Sequence, residues 1–359
     1  MSKTKVDHNL FWNREISSKL AYDANAPIVK EAKIISLSDV NDPSNRPLNN
    51  PADGLPQGSR LLAVGGSIEE FDIEMLKREG ANTIFVSHPL AREPLDRLLQ
   101  EIPSIEWIHS RSAGMDFVAS PTLASFQGKV TNAKGLYSST LAEYTIMACS
   151  YFAKDLPRLL KNKGAKNWEK YNVLELRGST LGTVGYGDIG RAVARLAVAY
   201  GMKVLALRRR PVPDDLCSVV YGNDKESLSR LFAECDYILC AAPLTAETKG
   251  MIGKEQFDVA KSGAVFINVG RGPIVDEDAL IEALKDGRLK GAGLDVFATE
   301  PLSKSSPLWE LDNVLLSPHN MDQTATFTYE STSFFVEENL PRFVRDLPLL
   351  NPVDVSAGY

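Results

Sequence analysis

Cysteine is scarce in this chain of 359 residues, and its four cysteines (Cys149, Cys217, Cys235 and Cys240) form neither a CxxC pair nor a metal-ligand spacing. Reduced thiols are therefore expected, with no structural zinc and no disulfide framework. Long apolar runs are missing as well: nothing approaches the roughly 18 residues that a membrane helix needs. There is no excess of basic residues, since the formal net charge is −6 at pH 7. No general field would draw nucleic acid or anionic lipid to the surface. The N-terminus lacks a secretory signal pattern, and its opening residues mix acids with bases, which argues against a transit peptide. What remains is an ordinary globular composition, 44% hydrophobic and 24% charged. It points to a cytoplasmic protein of two domains whose partner is a small molecule.

From about Ser138 onward, helical periodicity alternates with short apolar runs bounded by Gly, Pro and Asp, the pattern of a parallel sheet flanked by helices. Strands are predicted at Thr183–Val184, Lys203–Leu207, Tyr237–Ala242, Ala264–Val269, Gly291–Phe297 and Asn313–Ser317, with helices at Ile189–Tyr200, Glu226–Ala233 and Glu277–Asp286. Thr140 and Glu143 form a capping-box pattern that predicts one helix reaching about Leu160. In the N-terminal half, Asp42–Gly58 is rich in Pro, Asn, Asp and Gly and reads as a long surface loop. After it, strands are predicted at Arg60–Val64, Thr83–Val86 and Ile105–His109, with helices near Ile73–Glu79 and Glu93–Leu99. The segment Thr324–Val344 has helical spacing. There is no internal repeat.

Gly185-Tyr186-Gly187-Asp188-Ile189-Gly190 follows an apolar strand and opens an apolar-periodic helix, the context in which GxGxxG marks a dinucleotide site. The first glycine permits the tight turn, the second lets backbone approach a pyrophosphate, and the third lets helix and strand pack closely. About 20 residues on, such proteins place an acid for the adenosine ribose. Here Arg208-Arg209-Arg210 stands instead, and guanidinium groups suit a 2′-phosphate where an acid would repel it. NADP(H) is expected in preference to NAD(H), with NAD(H) still possible.

Four further motifs follow in order: Pro243-Leu244-Thr245 with Thr248, Asn268-Val269-Gly270-Arg271-Gly272, Asp295 through Glu300-Pro301, and Ser317-Pro318-His319. Together with Ser112-Ala113-Gly114-Met115-Asp116, they resemble the D-isomer-specific 2-hydroxyacid dehydrogenase family, closest in character to its NADPH-preferring glyoxylate and hydroxypyruvate reductases. The resemblance implies an α/β fold of two Rossmann-like doubly wound domains with an interdomain active-site cleft. Residues 1–137 would form the substrate-binding domain, with an atypical leader over 1–59, and 138–323 the nucleotide domain. Residues 324–359 would return as a helix to the substrate-binding domain. It also implies that Arg271 binds the substrate carboxylate and polarises the keto oxygen, that His319 acts as the acid, and that Glu300 orients His319. Backbone N–H groups at Ala113 and Gly114 would grip the carboxylate. Gly185, Gly187, Asp188, Ile189 and Gly190 would face the pyrophosphate, with Arg208 and Arg209 beyond. Ala242, Pro243 and Thr248 would lie near the adenosine, Val269, Gly270, Arg271 and His319 beside the nicotinamide, and Asp295 at its carboxamide. A homodimer through the nucleotide domain is the family habit, and a chain ending soon after the nucleotide domain is expected to lack the regulatory domain of longer phosphoglycerate dehydrogenases.

The chemistry stands without the resemblance. Reducing a ketone needs hydride at carbon and a proton at oxygen, and histidine is the side chain best suited to donate near neutrality. His88, His109 and Arg111 are expected to be structural, Arg111 remaining a candidate for specificity because it adjoins the substrate loop. Tyr144, Ile146, Met147 and Tyr151 form an apolar stripe read as core or subunit interface. Two alternatives stay open: an NAD-dependent dehydrogenase for a larger D-2-hydroxy acid, and a dinucleotide-sensing, corepressor-like binding protein.

Overall fold

The computed structural model describes residues 26–49 and 54–355. The opening segment considered as a transit peptide, and residues 50–53 of the expected loop, lie outside the described residues. The chain divides into two compact units, Met1–Leu136 with Ala325–Tyr359, and Tyr137–Thr324.

The first unit is built on a five-stranded sheet in the order β2-β1-β3-β4-β5, with β1 at Ala32–Leu37, β2 at Ser59–Gly65, β3 at Thr83–Val86, β4 at Trp107–Ser110 and β5 at Lys129–Asn132. Every pairing is parallel. β1 lies inside the sheet, and five of its six residues are buried, as befits a strand covered on both faces. The leader, expected to be atypical, thus contains a core strand that the sequence reading did not place, and β5 was likewise missed. The helix at Ile73–Glu79 is capped by Asp72, whose side chain accepts from Met75 N–H, and ends at Gly80 with φ of 68°. On the opposite face Phe335 and Phe343 pack with Ala32, Ile34, Phe85 and Trp107. The C-terminal segment therefore belongs to this unit, and its helix is interrupted: α-helix at Phe327–Ser333, π-helix at Phe334–Asn339, α-helix at Leu340–Phe343.

The expectation of a surface loop over Asp42–Gly58 is corrected. Pro43–Asn45 is a 3₁₀ turn followed by a helix at Arg46–Asn49, and Ser44, Asn45 and Leu48 are buried. Turn-forming residues went inside because their polar groups found partners there.

The second unit carries a seven-stranded sheet in the order β12-β11-β10-β9-β6-β7-β8. These strands are Thr180–Val184 (β6), Lys203–Leu207 (β7), Val219–Tyr221 (β8), Tyr237–Cys240 (β9), Ala264–Asn268 (β10), Leu289–Leu294 (β11) and Val314–Leu316 (β12). All pairings are parallel. The order is that of a dinucleotide-binding sheet with one strand added beyond the last, and the direction of winding reverses between β6 and β9. β8, a three-residue edge strand, was not anticipated.

The expected helix from the Thr140 capping box to Leu160 is also corrected. The helix runs over Ser138–Ala153 with Tyr137 at its N-cap and no side-chain cap; Thr140 lies inside its first turn, where its hydroxyl donates to Met321 O at 2.8 Å. It breaks at Asp155, which has φ of 53°, and a second helix occupies Leu156–Gly164. All four cysteines are free thiols, and burial pushes Cys149, Cys235 and Cys240 well above the ordinary thiol range.

Candidate active site

The glycine loop sits where β6 hands over to the helix at Asp188–Ala199. Gly185 has φ of +93°, and a Cβ there would stand 2.6 Å from the Ala242 backbone, so no other residue fits the turn. A Cβ at Gly190 would meet Gly185 O at 2.6 Å, which holds helix against strand. Nothing stands within 4 Å of the Cβ position at Gly187, and Gly187 caps the helix without any side-chain hydrogen bond. The loop thus presents an open backbone cradle over the first turn of a helix, at the sheet's reversal point, and these residues fit a dinucleotide pyrophosphate. Asp188 is exposed and Ile189 half-buried at its rim.

Arg208 follows β7 and donates its backbone N–H to Tyr221 O at 3.1 Å; Arg209 and Arg210 are exposed. After β9, Ala242 is buried. The Thr248 hydroxyl donates to Pro243 O at 2.6 Å, and Thr245 N–H donates to Thr248 Oγ1 at 2.8 Å. Thr248 therefore staples the Pro243–Thr245 turn.

β10 ends at Asn268, whose side chain organises the residues that follow. Its Oδ1 accepts Gly270 N–H at 3.0 Å and its Nδ2 donates to Arg271 O at 3.3 Å. Val269 is buried. Arg271 is half-buried, with Nη1 donating to Gly270 O at 2.9 Å. The next residue must be glycine, because a Cβ at Gly272 would fall 1.9 Å from the Phe297 carbonyl. That close approach sets the Arg271 turn directly against the loop that carries Glu300.

Glu300 and His319 come together. The imidazole Nδ1 lies 2.8 Å from Glu300 Oε2, while Glu300 Oε1 accepts Phe297 N–H at 3.0 Å. The carboxylate is held by its own loop and the ring by the carboxylate. Both side chains are a little over one-third exposed. His319 has φ of +52°, a backbone conformation that costs a non-glycine residue free energy. Asp295, at the end of β11, supplies the compensation: Oδ1 accepts from Ser317 Oγ at 2.8 Å and Asn320 N–H at 3.1 Å, and Oδ2 from Met321 N–H at 3.4 Å. Burial pushes the Asp295 carboxyl up despite these donors. Asp295 is buried, with 2% of its surface exposed.

Two contributors escaped sequence reading. Tyr144, assigned to an apolar stripe, is buried with its hydroxyl 3.4 Å from Ser317 Oγ, and burial raises it to about 12. Asp322, three residues past His319, has a buried Oδ1 with no protein donor; burial raises it, while the charges of His319 and Arg271 lower it. No local pattern marks either.

In the first unit, Ala113 and Gly114 form the turn after β4 and are half-buried. Asn132 Nδ2 donates to Ala113 O at 2.6 Å, fixing the peptide plane that orients the Gly114 N–H. His109 is fully buried and His88 Nδ1 accepts Leu90 N–H at 3.2 Å, both in structural settings. Among the described residues no cluster of His, Cys, Asp and Glu could hold a metal ion, and no helix is long and apolar enough to cross a membrane.

Residues 146–320 match the family model described as D-isomer specific 2-hydroxyacid dehydrogenase, NAD binding domain. The chain is 34% identical over 269 residues to a glyoxylate reductase of Korarchaeum cryptofilum, covering 71% of this chain and 78% of that protein. Among solved structures it is similar to a D-isomer specific 2-hydroxyacid dehydrogenase from Xanthobacter autotrophicus in complex with NADPH and MES, with 27% identity, a TM-score of 0.77, and coverage of 92% of this chain and 100% of the other. It is also similar to an NADPH-dependent glyoxylate/hydroxypyruvate reductase from Sinorhizobium meliloti in complex with NADP and sulfate, with 26% identity, a TM-score of 0.74, and coverage of 92% and 100%. With the glycine cradle, the Glu300–His319 pair and these relatives in agreement, the chain belongs to the D-isomer specific 2-hydroxyacid dehydrogenase family and is a nicotinamide-dependent oxidoreductase.

Proposed function

We propose that the protein reduces a small 2-keto acid of the glyoxylate or hydroxypyruvate class to the D-2-hydroxy acid, with NADPH as the preferred cofactor. The observation that carries this reading is the 2.8 Å contact between His319 Nδ1 and Glu300 Oε2. With Nδ1 committed to the carboxylate, Nε2 on the far side of the ring becomes the proton donor to the substrate oxygen. The bound dinucleotide supplies hydride to the carbonyl carbon. Arg271, set by Asn268 and Gly272, binds the substrate carboxylate and polarises the keto oxygen, and the N–H groups of Ala113 and Gly114 take the carboxylate as well.

Gly185, Gly187, Asp188, Ile189 and Gly190 line the pyrophosphate in this reading, Ala242, Pro243 and Thr248 lie by the adenosine, and Val269 and Gly270 lie by the nicotinamide. Arg208 and Arg209 pair with the 2′-phosphate, a role supported by their place directly after β7 and by the NADP(H)-bound relatives. A homodimer belongs to the same reading, supported by apolar side chains exposed along and after the Leu156–Gly164 helix: Leu159, Leu160, Trp168, Val173 and Leu174.

Steady-state oxidation of NADPH and NADH against glyoxylate, hydroxypyruvate, pyruvate and bulkier 2-keto acids tests the reading. His319→Asn is the informative variant, because asparagine tolerates the left-handed backbone at that position and cannot donate the proton. It should lower kcat by at least about 100-fold while dinucleotide binding persists. Arg208→Asp should erase the preference for NADPH. Tight NADPH binding without turnover on any 2-keto acid would refute the reading and favour a dinucleotide-sensing protein.

A further inference from the structure

The carboxyl end of a doubly wound sheet is where such folds bind ligands, at the point where the winding reverses. In the first unit that point falls between β1 and β3, and the chain's own residues fill it. Asp42 caps the 3₁₀ turn Pro43–Asn45, accepting Ser44 N–H at 2.9 Å. From β4, Arg111 reaches back across 69 positions: its Nη1 donates to Asp42 Oδ2 at 2.8 Å, Ser44 Oγ at 3.1 Å and Asn45 Oδ1 at 3.0 Å. Its backbone N–H donates to Val86 O at 2.9 Å, and Ser87 Oγ touches Asn45 Oδ1 at 3.4 Å. The pair is largely removed from water, with 14% of the Arg111 side chain and 25% of Asp42 exposed. Burial alone would raise Asp42, yet Ser44 and Arg111 outweigh it and hold the carboxyl below its usual range.

Arg111 immediately precedes the Ser112–Gly114 turn. A guanidinium beside a carboxylate-binding turn would otherwise be a second anion receptor, since arginine pairs with carboxylates in bidentate geometry. Here an internal carboxylate already takes that place.

Resting on the 2-keto acid reading above, we propose that Asp42 is a specificity-determining residue: by engaging Arg111 it cancels the cation beside the substrate turn, so that the enzyme accepts monocarboxylate 2-keto acids and rejects dicarboxylate ones. The substrate's single carboxylate is met by the backbone donors of that turn. A second carboxylate would meet Arg111 only after displacing Asp42 from a buried pair, which leaves a buried charge uncompensated. Asp42 acts through Arg111 and is a positioning residue.

The test measures kcat/KM for two monoanions, glyoxylate and pyruvate, and two dianions, oxaloacetate and 2-oxoglutarate, in the wild type, Asp42→Asn, Arg111→Gln and the double variant, with melting curves confirming the fold. Asp42→Asn keeps the acceptor for Ser44 and removes the charge. It should raise the dianion-to-monoanion ratio on the order of tenfold, the scale of one unit charge at close range in a partly solvated site. That gain should shrink with added salt and vanish in the double variant. Arg111→Gln alone should lower the ratio on the same scale, because it uncovers the negative charge of Asp42.

An unchanged ratio in folded Asp42→Asn overturns the proposal, as does a shift that survives in the double variant, which would mean a displaced turn and not a released charge. Should Asp42→Asn fail to fold, Arg111→Gln and the double variant decide: a ratio that stays below wild type in the double variant, instead of returning to it, shows that Arg111 was never neutralised. Wild-type turnover of monoanions with any of these adverse ratios sinks this inference alone, whereas no wild-type turnover on any 2-keto acid sinks the proposed function and this inference with it.

Discussion

Acidification should weaken the first unit through His109. Its imidazole is fully buried, stacked on Phe85 and packed against Trp107 and Phe335, with ring centroids 5.1–6.1 Å away. Thr131 Oγ1 accepts Trp107 Nε1–H at 2.8 Å and lies 2.7 Å from His109 Nδ1. His109 Nε2, on the other side of the ring, has no hydrogen-bond partner. Burial lowers the His109 pKa from 6.5 to about 3. The folded chain therefore holds this ring neutral where the unfolded chain protonates it. Stability from the site is complete above pH 6.5 and is lost progressively as the pH falls from 6.5 toward 3. At roughly 1.4 kcal/mol per unit, lowering the pH from about 7.5 to about 5 should cost about 2 kcal/mol through His109. Urea titrations followed by the fluorescence of buried Trp107 would report this unit. The variant His109→Phe should be less sensitive to acid than wild type by that amount, the contribution of the other histidines cancelling in the comparison. Equal losses in both proteins would refute the argument.

Two substitutions probe the second unit. Gly272→Ala should reduce kcat/KM by more than about 100-fold, since about 1 Å of misplacement at a reacting centre costs that much and the new Cβ would overlap the Phe297 carbonyl; steady-state kinetics with a melting curve would show it, and near-normal activity would remove Gly272 from the account. Glu300→Gln should cut kcat by about 10- to 100-fold while fluorescence titration shows dinucleotide affinity unchanged, because the amide retains an acceptor for His319 and loses the charge that stabilises imidazolium.

The nucleotide unit was legible because its signals are local. β7 runs over Lys203–Leu207 as expected, its residues buried after the first, and the glycine loop announces its turn through residues that only one geometry admits. What escaped depended on partners far along the chain. Asp42-Pro43-Ser44-Asn45 has the composition of a surface turn, and only Arg111, 69 residues on, lets it go inside. Thr140 has the spacing of a helix cap, but the helix already begins at Ser138 and Thr140 lies inside its first turn, donating to a carbonyl 181 residues away. β1 failed for a related reason: its run ends in Ser-Leu-Ser-Asp without a glycine or proline punctuator, and nothing local distinguishes a central strand from a leader. Glu300 and His319, which come together at 2.8 Å, lie in motifs visible in the sequence, whereas Asp322 and Tyr144 have no spacing rule to reveal them.

Glu300 and Asp295, two of the carboxylates near His319, differ in solvation. Glu300, more than a third exposed, carries its charge beside the imidazole at modest desolvation cost and can respond when the ring changes protonation state. Asp295, buried beneath the loop, is poorly placed for that exchange but well placed to gather three donors from residues 317–321. A left-handed non-glycine residue costs about 1–3 kcal/mol, and a hydrogen bond to a charged group returns about 1.5–3 kcal/mol. Two such bonds, from Asn320 and Met321, flank the strained His319 on its C-terminal side and suffice to hold φ at +52°. The backbone that aims the imidazole at Glu300 is thus held by the donors that Asp295 gathers, and the carboxylate that meets the imidazole is a different, wetter side chain.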